Sequence, residues 1–171
     1  MILIALGANL PTSCYGPPEK GLDAALHALE DRGVRVVRRS RWYRSAPVPH
    51  SDQPWYVNGA AVVEGDQTPA ELLACLLEVE RSFGRRRSER NAARVLDLDL
   101  LAYGEQVVDD GGTGLTLPHP RMHERAFVLG PLSEIAGDWR HPILGRSAAE
   151  LYAGLNAAEV LEPIARDDAN I

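Results

Sequence analysis

Apolar and polar positions along the chain change their period several times, as they do when short strands alternate with amphipathic helices. Residues 1–7 are an apolar run that ends at Gly7 and predicts a buried strand. Leucines and alanines then recur on one helical face, and Gly33 follows where a left-handed helix cap is expected. Residues 34–45 are rich in β-branched and aromatic side chains and predict a strand.

Residues 55–65 predict the next strand, in which alternate side chains point to opposite faces of a sheet. Tyr56 and Asn58 share one face, whereas Val57 and Gly59 share the other. The paired tyrosine and asparagine offer an aromatic plane beside an amide that both donates and accepts, which suits a flat heterocycle. The alternative is a half-buried core tyrosine beside an edge asparagine.

The most clearly marked helix begins after Thr68. Thr68 and Glu71 form a capping box, and Pro69 occupies the first helical position. Gly84 is the predicted end. The apolar face consists of Leu72, Leu76, Val79 and Phe83.

The remaining segments predict shorter elements. Residues 94–104 form a strand, residues 105–120 a short strand or hairpin with a glycine-rich turn, and residues 121–137 have mixed helical character. Ser147 and Glu150 open a last helix with a second capping box. The order is therefore β-α-β-β-α-β with C-terminal additions.

That order predicts an α+β protein with a ferredoxin-like core: a mostly antiparallel sheet with helices on one face and C-terminal additions. The length of 171 residues suits a single domain, residues 1–171, and no repeat or linker divides it. The 45% hydrophobic and 25% charged content is that of a soluble globular protein. No apolar run approaches the length of a membrane helix, so no membrane partner is expected.

The charge and the cysteine content indicate which partners and which location to expect. The formal net charge of −6 argues against a nucleic-acid partner, because such proteins usually present a basic face. Cys14 and Cys75 are the only cysteines, which favours free thiols and a cytoplasmic location. Residues 85–94 nevertheless form a local arginine-rich cluster, which suits a compact anionic ligand better than a long polyanion.

The segment RVLDLDLLAYG, residues 94–104, places two carboxylates in an apolar strand. Asp97 and Asp99 share a face with Cα atoms about 6.5 Å apart, while Leu96 and Leu98 face the opposite side. Two such carboxylates suit a pair of metal ions, and their oxygen ligands favour Mg²⁺. The alternative is an exposed strand face that carries two solvated acids.

The arginines of residues 85–94 stand next to this pair in the sequence and suit bidentate phosphate binding. The alternative for most of them is a solvated charged loop. His119, held between Pro118 and Pro120, is a further candidate donor to a phosphate, with a structural role as the alternative. No G-x-x-x-x-G-K-[ST] sequence is present, which argues against a P-loop.

Together these segments resemble the 6-hydroxymethyl-7,8-dihydropterin pyrophosphokinase family of folate biosynthesis. The resemblance runs in order through IALGANL, RSRWYRSAPV, DQPWYVNGAAVVEG, EVERSFGR, RVLDLDLLAYG and LTLPHPRMHERAFVLGPLSEIAG. It implies a Mg-dependent enzyme that transfers the diphosphate of ATP to the hydroxymethyl group of 6-hydroxymethyl-7,8-dihydropterin and releases AMP.

The resemblance also implies individual roles. Asp97 and Asp99 would hold two Mg²⁺ ions that bridge the phosphates of ATP, the co-substrate. Tyr56 and Phe127 would sandwich the pterin ring, and Asn58 would bind its edge. The backbone around Ser45 and Val48 would also contact the pterin. Arg85 and Arg94 would bind the phosphates. On the nucleotide side, the implied residues are Glu80, His119 and Arg125.

One segment departs from the family pattern. Many members carry an aromatic residue and a Gly-Pro or similar pair shortly before the arginine of R-x-L-D-L-D, in a loop that closes over the site. This chain has Asn91, Ala92 and Ala93 there, and the loop is about one residue short. We expect an active enzyme, because the metal ligands and the pterin-facing aromatic residues are retained.

Two other functions compete with this one. The first is a different metal-dependent nucleotidyl- or phosphotransferase, which would share ATP and Mg²⁺ but lack the aromatic sandwich. The second is a ferredoxin-like RNA-binding module, which the missing RNP aromatic pattern and the acidic charge disfavour. The expected oligomeric state is a monomer.

Overall fold

An antiparallel sheet forms the centre of the computed structural model, which describes residues 1–47, 51–84, 93–110, 112, 114–156 and 161–165. The strands are β1 (Ile2–Ala8), β2 (Arg35–Arg39), β3 (Tyr43–Ser45), β4 (Tyr56–Glu64), β5 (Asp97–Tyr103), β6 (Val108–Asp109), β7 (Thr116–Leu117) and β8 (Leu161–Pro163). The helices are α1 (Pro18–Glu30), α2 (Pro69–Ser82), α3 (Ala126–Ala136) and α4 (Ala148–Ala153), with a 3₁₀ turn at Met122–Glu124.

The main sheet has the order β5-β1-β4-β3-β8, and β2 also pairs with β4. All of these pairs are antiparallel. Strands β6 and β7 form a separate two-stranded sheet, as the predicted hairpin requires. The predicted α+β class and mostly antiparallel sheet are therefore confirmed, whereas β8 was not predicted.

The helices do not all lie on one face. Helices α1 and α2 pack on one face of the sheet, where Leu22 and Leu76 meet Ile4 in one buried cluster. On the opposite face, Val128 of α3 packs with Val62 in a second cluster. The two core helices thus lie on one face, as predicted, whereas α3 of the C-terminal additions covers part of the other face, because the inner strands are apolar on both sides and need cover on both.

The predicted strand over residues 34–45 is two strands, β2 and β3, with a break between them. At the break the Ser40 Oγ accepts a hydrogen bond of 3.0 Å from the Ala60 amide and donates one of 2.7 Å to the Arg41 carbonyl. Trp42 then turns into the core with only 7% of its surface exposed. A Cβ on Gly59 would lie 2.4 Å from that indole ring, so the packing requires glycine there.

The predicted helix ends are confirmed. Thr68 with Glu71 and Ser147 with Glu150 form complete capping boxes at α2 and α4. Gly33 has a φ of 82° after α1. These local signals are strong because each cap satisfies backbone N–H groups that the helix itself leaves without a partner.

Candidate active site

A cleft of about 690 Å³ opens at one end of the sheet, on the face that α3 covers in part. It lies where the end of β1 meets the start of β4 and of β5. The predicted site residues along its wall are Ser45, Tyr56, Asn58, Arg94, Asp97, Asp99, His119, Arg125 and Phe127.

Strand register explains why residues distant in sequence meet here. Gly7 of β1 stands opposite Asn58 of β4 on one side and opposite Asp97 of β5 on the other. Neighbouring strands are about 4.8 Å apart, so Asn58 and Asp97 lie roughly 10 Å from each other across Gly7. Because glycine has no side chain, the space between the amide and the carboxylate stays open.

Asn58 is fixed by its surroundings. Its Nδ2 donates a 2.7 Å hydrogen bond to the Ser45 Oγ, and both residues are buried. A Cβ on Gly7 would lie 2.9 Å from the Asn58 Oδ1, which is closer than carbon and oxygen normally approach. The glycine therefore allows the amide to adopt this position.

Two aromatic rings line the same part of the cleft. Tyr56 begins β4 and is half-buried, and this burial raises the pKa of its hydroxyl. Phe127 lies in the first turn of α3, and the guanidinium carbon of Arg125 is 5.6 Å from the centre of its ring. A flat ligand bound near Asn58 would have aromatic surface within reach on both elements.

The acidic pair lies as the strand alternation predicts. Asp97 and Asp99 are partly exposed at the cleft, while Leu96, Leu98 and Leu100 are buried in the cluster on the opposite face. Arg94 Nη1 is 3.2 Å from the Asp97 Oδ2. A cation and a carboxylate are thus in contact at the wall of the cleft.

The acidic pair also fits Mg²⁺ by its chemistry. Both side chains offer hard carboxylate oxygens, and Mg²⁺ needs few of these because it retains waters and takes substrate phosphates as ligands. Within the described part of the chain, no group of three or more His, Cys, Asp and Glu side chains could hold a metal. Those residues therefore do not form a metal site made of protein ligands alone. Asp97 and Asp99 instead offer two carboxylates and leave the other positions to water and phosphate.

His119 has a defined tautomer. Its Nδ1 accepts a 3.1 Å hydrogen bond from the Arg121 amide, so the proton of the neutral ring is on Nε2. Burial and the neighbouring Arg125 and Arg121 lower its pKa to about 4, against the opposing effect of Asp97. With its pKa lowered in this way the ring carries its N–H at Nε2, which is the nitrogen that could donate to a ligand.

Some predicted residues lie elsewhere. Glu80 is 2% exposed within α2 and is not among the described residues that line the cleft. Val48 and Arg85 lie outside the described residues, as do Asn91 and Ala92 of the divergent loop.

Sequence reasoning missed further residues of the cleft. Gly7, Gln53, Arg121 and Glu124 all line it. The GAN tripeptide at residues 7–9 was the available signal for Gly7, but its importance depends on a strand register that the sequence does not display. Arg121 and Glu124 lie beside His119 and Arg125 in the quoted PHPRMHER segment.

No helix in the described residues is long and apolar enough to span a membrane. Cys14 and Cys75 are both free thiols.

Comparison with known proteins identifies the family. Residues 3–137 match the family model described as 7,8-dihydro-6-hydroxymethylpterin-pyrophosphokinase (HPPK). The chain is 46% identical over 138 residues to a 2-amino-4-hydroxy-6-hydroxymethyldihydropteridine pyrophosphokinase of Methylorubrum extorquens, covering 80% of this chain and 84% of the relative. It is 43% identical over 136 residues to that of Haemophilus influenzae, covering 79% and 81%.

Solved structures agree at the level of the fold. A Plasmodium falciparum HPPK-DHPS triple mutant with STZ-DHP matches with a TM-score of 0.69 and 13% identity, over 89% of this chain and 42% of that one. This chain therefore spans about two fifths of that solved protein. Since the family model covers most of the chain and the relatives are matched over most of their length, this protein belongs to the 7,8-dihydro-6-hydroxymethylpterin pyrophosphokinase family.

Proposed function

We propose that the protein transfers the diphosphate group of ATP to the hydroxymethyl group of 6-hydroxymethyl-7,8-dihydropterin and releases AMP, as a step of folate biosynthesis. The observation that carries the proposal is the register of Asn58, Gly7 and Asp97 across three strands. This register holds the Asn58 amide and the Asp97 carboxylate on either side of Gly7, which supports a flat ring bound at one end of the cleft and phosphates bound at the other.

The pterin end is supported by the aromatic and amide groups. Tyr56 and Phe127 provide surfaces for stacking, and the Asn58 amide provides an edge for hydrogen bonding. The bond from Asn58 Nδ2 to Ser45 fixes which way that amide faces. A ring held at this edge would lie beside Gly7, in the part of the cleft that Asp97 also lines.

The phosphate end is supported by charge. Asp97 and Asp99 would hold Mg²⁺, two ions by family resemblance, and the metal when bound supplies neutralisation of charge on the phosphates. Arg94 and Arg125 line the same cleft and would bind phosphate oxygens directly. Arg85 and Glu80 stay predictions for the nucleotide side, and the backbone of Val48 stays one for the pterin.

The proposed reaction needs no covalent intermediate with the protein. The hydroxymethyl oxygen forms a bond to the β-phosphorus of ATP, the bond from that phosphorus to the α,β-bridging oxygen breaks, and AMP leaves. The hydroxyl proton is released, and no described residue is assigned as its acceptor. The protein contributes by aligning the two substrates and by stabilising the charge that develops on the phosphates.

His119 would assist as a neutral hydrogen-bond donor. A phosphate oxygen near its Nε2 would accept a hydrogen bond from the neutral ring, since burial lowers the pKa of His119 to about 4. Its orientation is held at Nδ1 by the Arg121 amide. In this role the hydrogen bond from His119 would not change with pH near neutrality.

The proposal also includes the topology of the core, the oligomeric state and the location. We interpret the core from β1 to β5 as ferredoxin-like, because β5-β1-β4 lie side by side and both connecting helices pack on one face. A monomer and a cytoplasmic location remain predictions. The free thiols of Cys14 and Cys75 are consistent with a reducing compartment.

The test is product analysis. The purified protein is incubated with Mg²⁺ATP, with and without 6-hydroxymethyl-7,8-dihydropterin, and AMP and ADP are separated by chromatography. The proposal predicts AMP formed in equal amount to the consumed pterin, and none without it. ADP as the product would indicate a single-phosphoryl transferase instead, and AMP that forms equally without pterin would indicate a different reaction.

A further inference from the structure

A buried asparagine outside the predicted site joins the two ends of the cleft. Asn9 follows β1 directly and is 1% exposed. We propose that Asn9 is a positioning residue that holds the phosphate-side arginine, Arg94, and the pterin-side segment of residues 53–54 in register with each other. The kinetic part of this inference rests on the proposed function.

The phosphate side is held at the backbone of Arg94. The Arg94 amide donates a 2.8 Å hydrogen bond to the Asn9 Oδ1. In return, the amides of Asn9 and Leu10 donate bonds of 3.0 and 3.2 Å to the Arg94 carbonyl. Both backbone groups of Arg94 are thus fixed to the end of β1, three residues before Asp97, whose carboxylate its side chain contacts.

The pterin side is held by the other end of the same amide. Asn9 Nδ2 donates to the Gln53 Oε1 at 3.2 Å and to the Pro54 carbonyl at 3.1 Å. Gln53 itself lines the cleft, and Tyr56 begins β4 two residues after Pro54. Each partner of the Asn9 side chain therefore lies more than forty residues away from it in the sequence.

Only an amide satisfies this arrangement. Both hydrogens of Nδ2 have an acceptor, and Oδ1 has a donor, so each end of the side chain has a separate task. An aspartate would retain an oxygen facing the Arg94 amide but would place a second oxygen against the Gln53 and Pro54 oxygens. An alanine would remove all of these side-chain contacts and leave buried polar groups without partners.

The two substitutions therefore separate the two tasks. Asn9→Asp should release residues 53–54 and raise the KM for the pterin about tenfold, with a smaller change in kcat, since it removes two hydrogen bonds. Asn9→Ala should raise that KM and also lower kcat about tenfold, because Arg94 loses its tether.

Gln67→Ala provides a matched control. The Gln67 amide donates a 3.1 Å bond to the Arg32 carbonyl beyond the far end of β4, so its loss removes a similar contact away from the cleft. Its kinetic constants should stay within about twofold of the wild type after correction for the folded fraction. A purely structural role for Asn9 would give the Asn9 variants this same behaviour.

Amide hydrogen exchange followed by NMR tests the tether without any turnover. The Arg94 amide should exchange faster in Asn9→Ala and remain protected in Asn9→Asp, while amides in the middle of β1 stay protected in both. Unchanged exchange of the Arg94 amide in Asn9→Ala, or wild-type kcat and KM in both variants, would overturn the proposal. A wild-type protein that forms no AMP would overturn the proposed function and the kinetic part of this inference, whereas the exchange result would still decide whether Asn9 holds Arg94.

Discussion

Arg94 Nη1 lies 3.2 Å from the Asp97 Oδ2, so the arginine proposed to bind phosphate is in direct contact with a carboxylate proposed to bind metal. Both side chains are about a quarter exposed at the cleft. An ion pair of this kind keeps the cation close to the position proposed for the phosphates. Binding of Mg²⁺ATP would then exchange a contact between two protein groups for contacts to the substrate.

The acidic pair should be required for turnover and not for folding. Asp97→Asn and Asp99→Asn should each lower kcat about a thousandfold, because each removes a charged ligand of the metal. Their thermal midpoints should stay within a few degrees of the wild type, since both side chains face the cleft. Steady-state rates and circular dichroism melts measure the two quantities.

Asp138→Asn is the control for the acidic pair, because Asp138 is exposed beyond the C-terminal end of α3. It should retain the wild-type rate. An Asp97→Asn or Asp99→Asn protein with wild-type rate and Mg²⁺ dependence would refute the metal assignment.

The aromatic rings should control affinity for the pterin. Tyr56→Ala and Phe127→Ala should each raise the KM for the pterin about tenfold to a hundredfold, which is the usual size of a lost stacking contact. The KM for ATP should change far less. Tyr56→Phe keeps the ring and should lose much less than Tyr56→Ala; equal losses in both would indicate that the hydroxyl, and not stacking, is what matters.

Gly7 should be intolerant of even one added carbon. Gly7→Ala places a Cβ 2.9 Å from the Asn58 Oδ1 and should displace that amide, which raises the KM for the pterin about tenfold as a hydrogen bond is lost. Gly21→Ala, in α1, meets only the Thr12 Cγ2 at 3.4 Å and serves as control. Wild-type pterin affinity in Gly7→Ala would show that Asn58 does not need this position.

His119 gives a prediction about pH. The pKa of this imidazole falls from 6.5 to about 4 on folding, so the unfolded chain binds the proton more tightly. The contribution of His119 to the free energy of unfolding should therefore be independent of pH above 6.5. It should decrease as the pH falls from 6.5 toward 4, and it should level off below that. His119→Gln should remove this contribution while it retains an amide donor.

Urea denaturation of the wild type and of His119→Gln at pH 7, 5.5 and 4.5 measures the effect. The stability difference between the two proteins should change in favour of the variant as the pH falls. Burial and the neighbouring His123 also lower the pKa of His141, so the comparison with the variant isolates the contribution of His119. A difference that stays constant from pH 7 to 4.5 would contradict the neutral-donor assignment.

Local patterns predicted those features that depend on neighbours in sequence. The alternation in RVLDLDLLAYG placed Asp97 and Asp99 on one face and Leu98 on the other, and the capping boxes located the starts of α2 and α4. Each of these signals acts over fewer than five residues. Strand period and cap geometry are therefore visible before the fold is known.

Features that depend on register or on distant contacts were not visible. The break between β2 and β3 is fixed by the bond between Ser40 and the Ala60 amide, twenty residues apart. Helix α3 covers the second face of the sheet because the inner strands are apolar on both sides. The pattern of a single strand does not show whether both of its faces are covered or one is exposed to solvent. Asn9 was overlooked for the same reason, because its partners lie more than forty residues away.

The most direct test of the central claim follows the phosphorus atoms themselves. The protein is given Mg²⁺ATP labelled at the β-phosphorus together with 6-hydroxymethyl-7,8-dihydropterin, and the label is located after separation of the products. Transfer of a diphosphate predicts that the label is in the pterin product and that the AMP is unlabelled. Label that remains in a nucleoside diphosphate, with a pterin monophosphate as the other product, would contradict the proposed reaction.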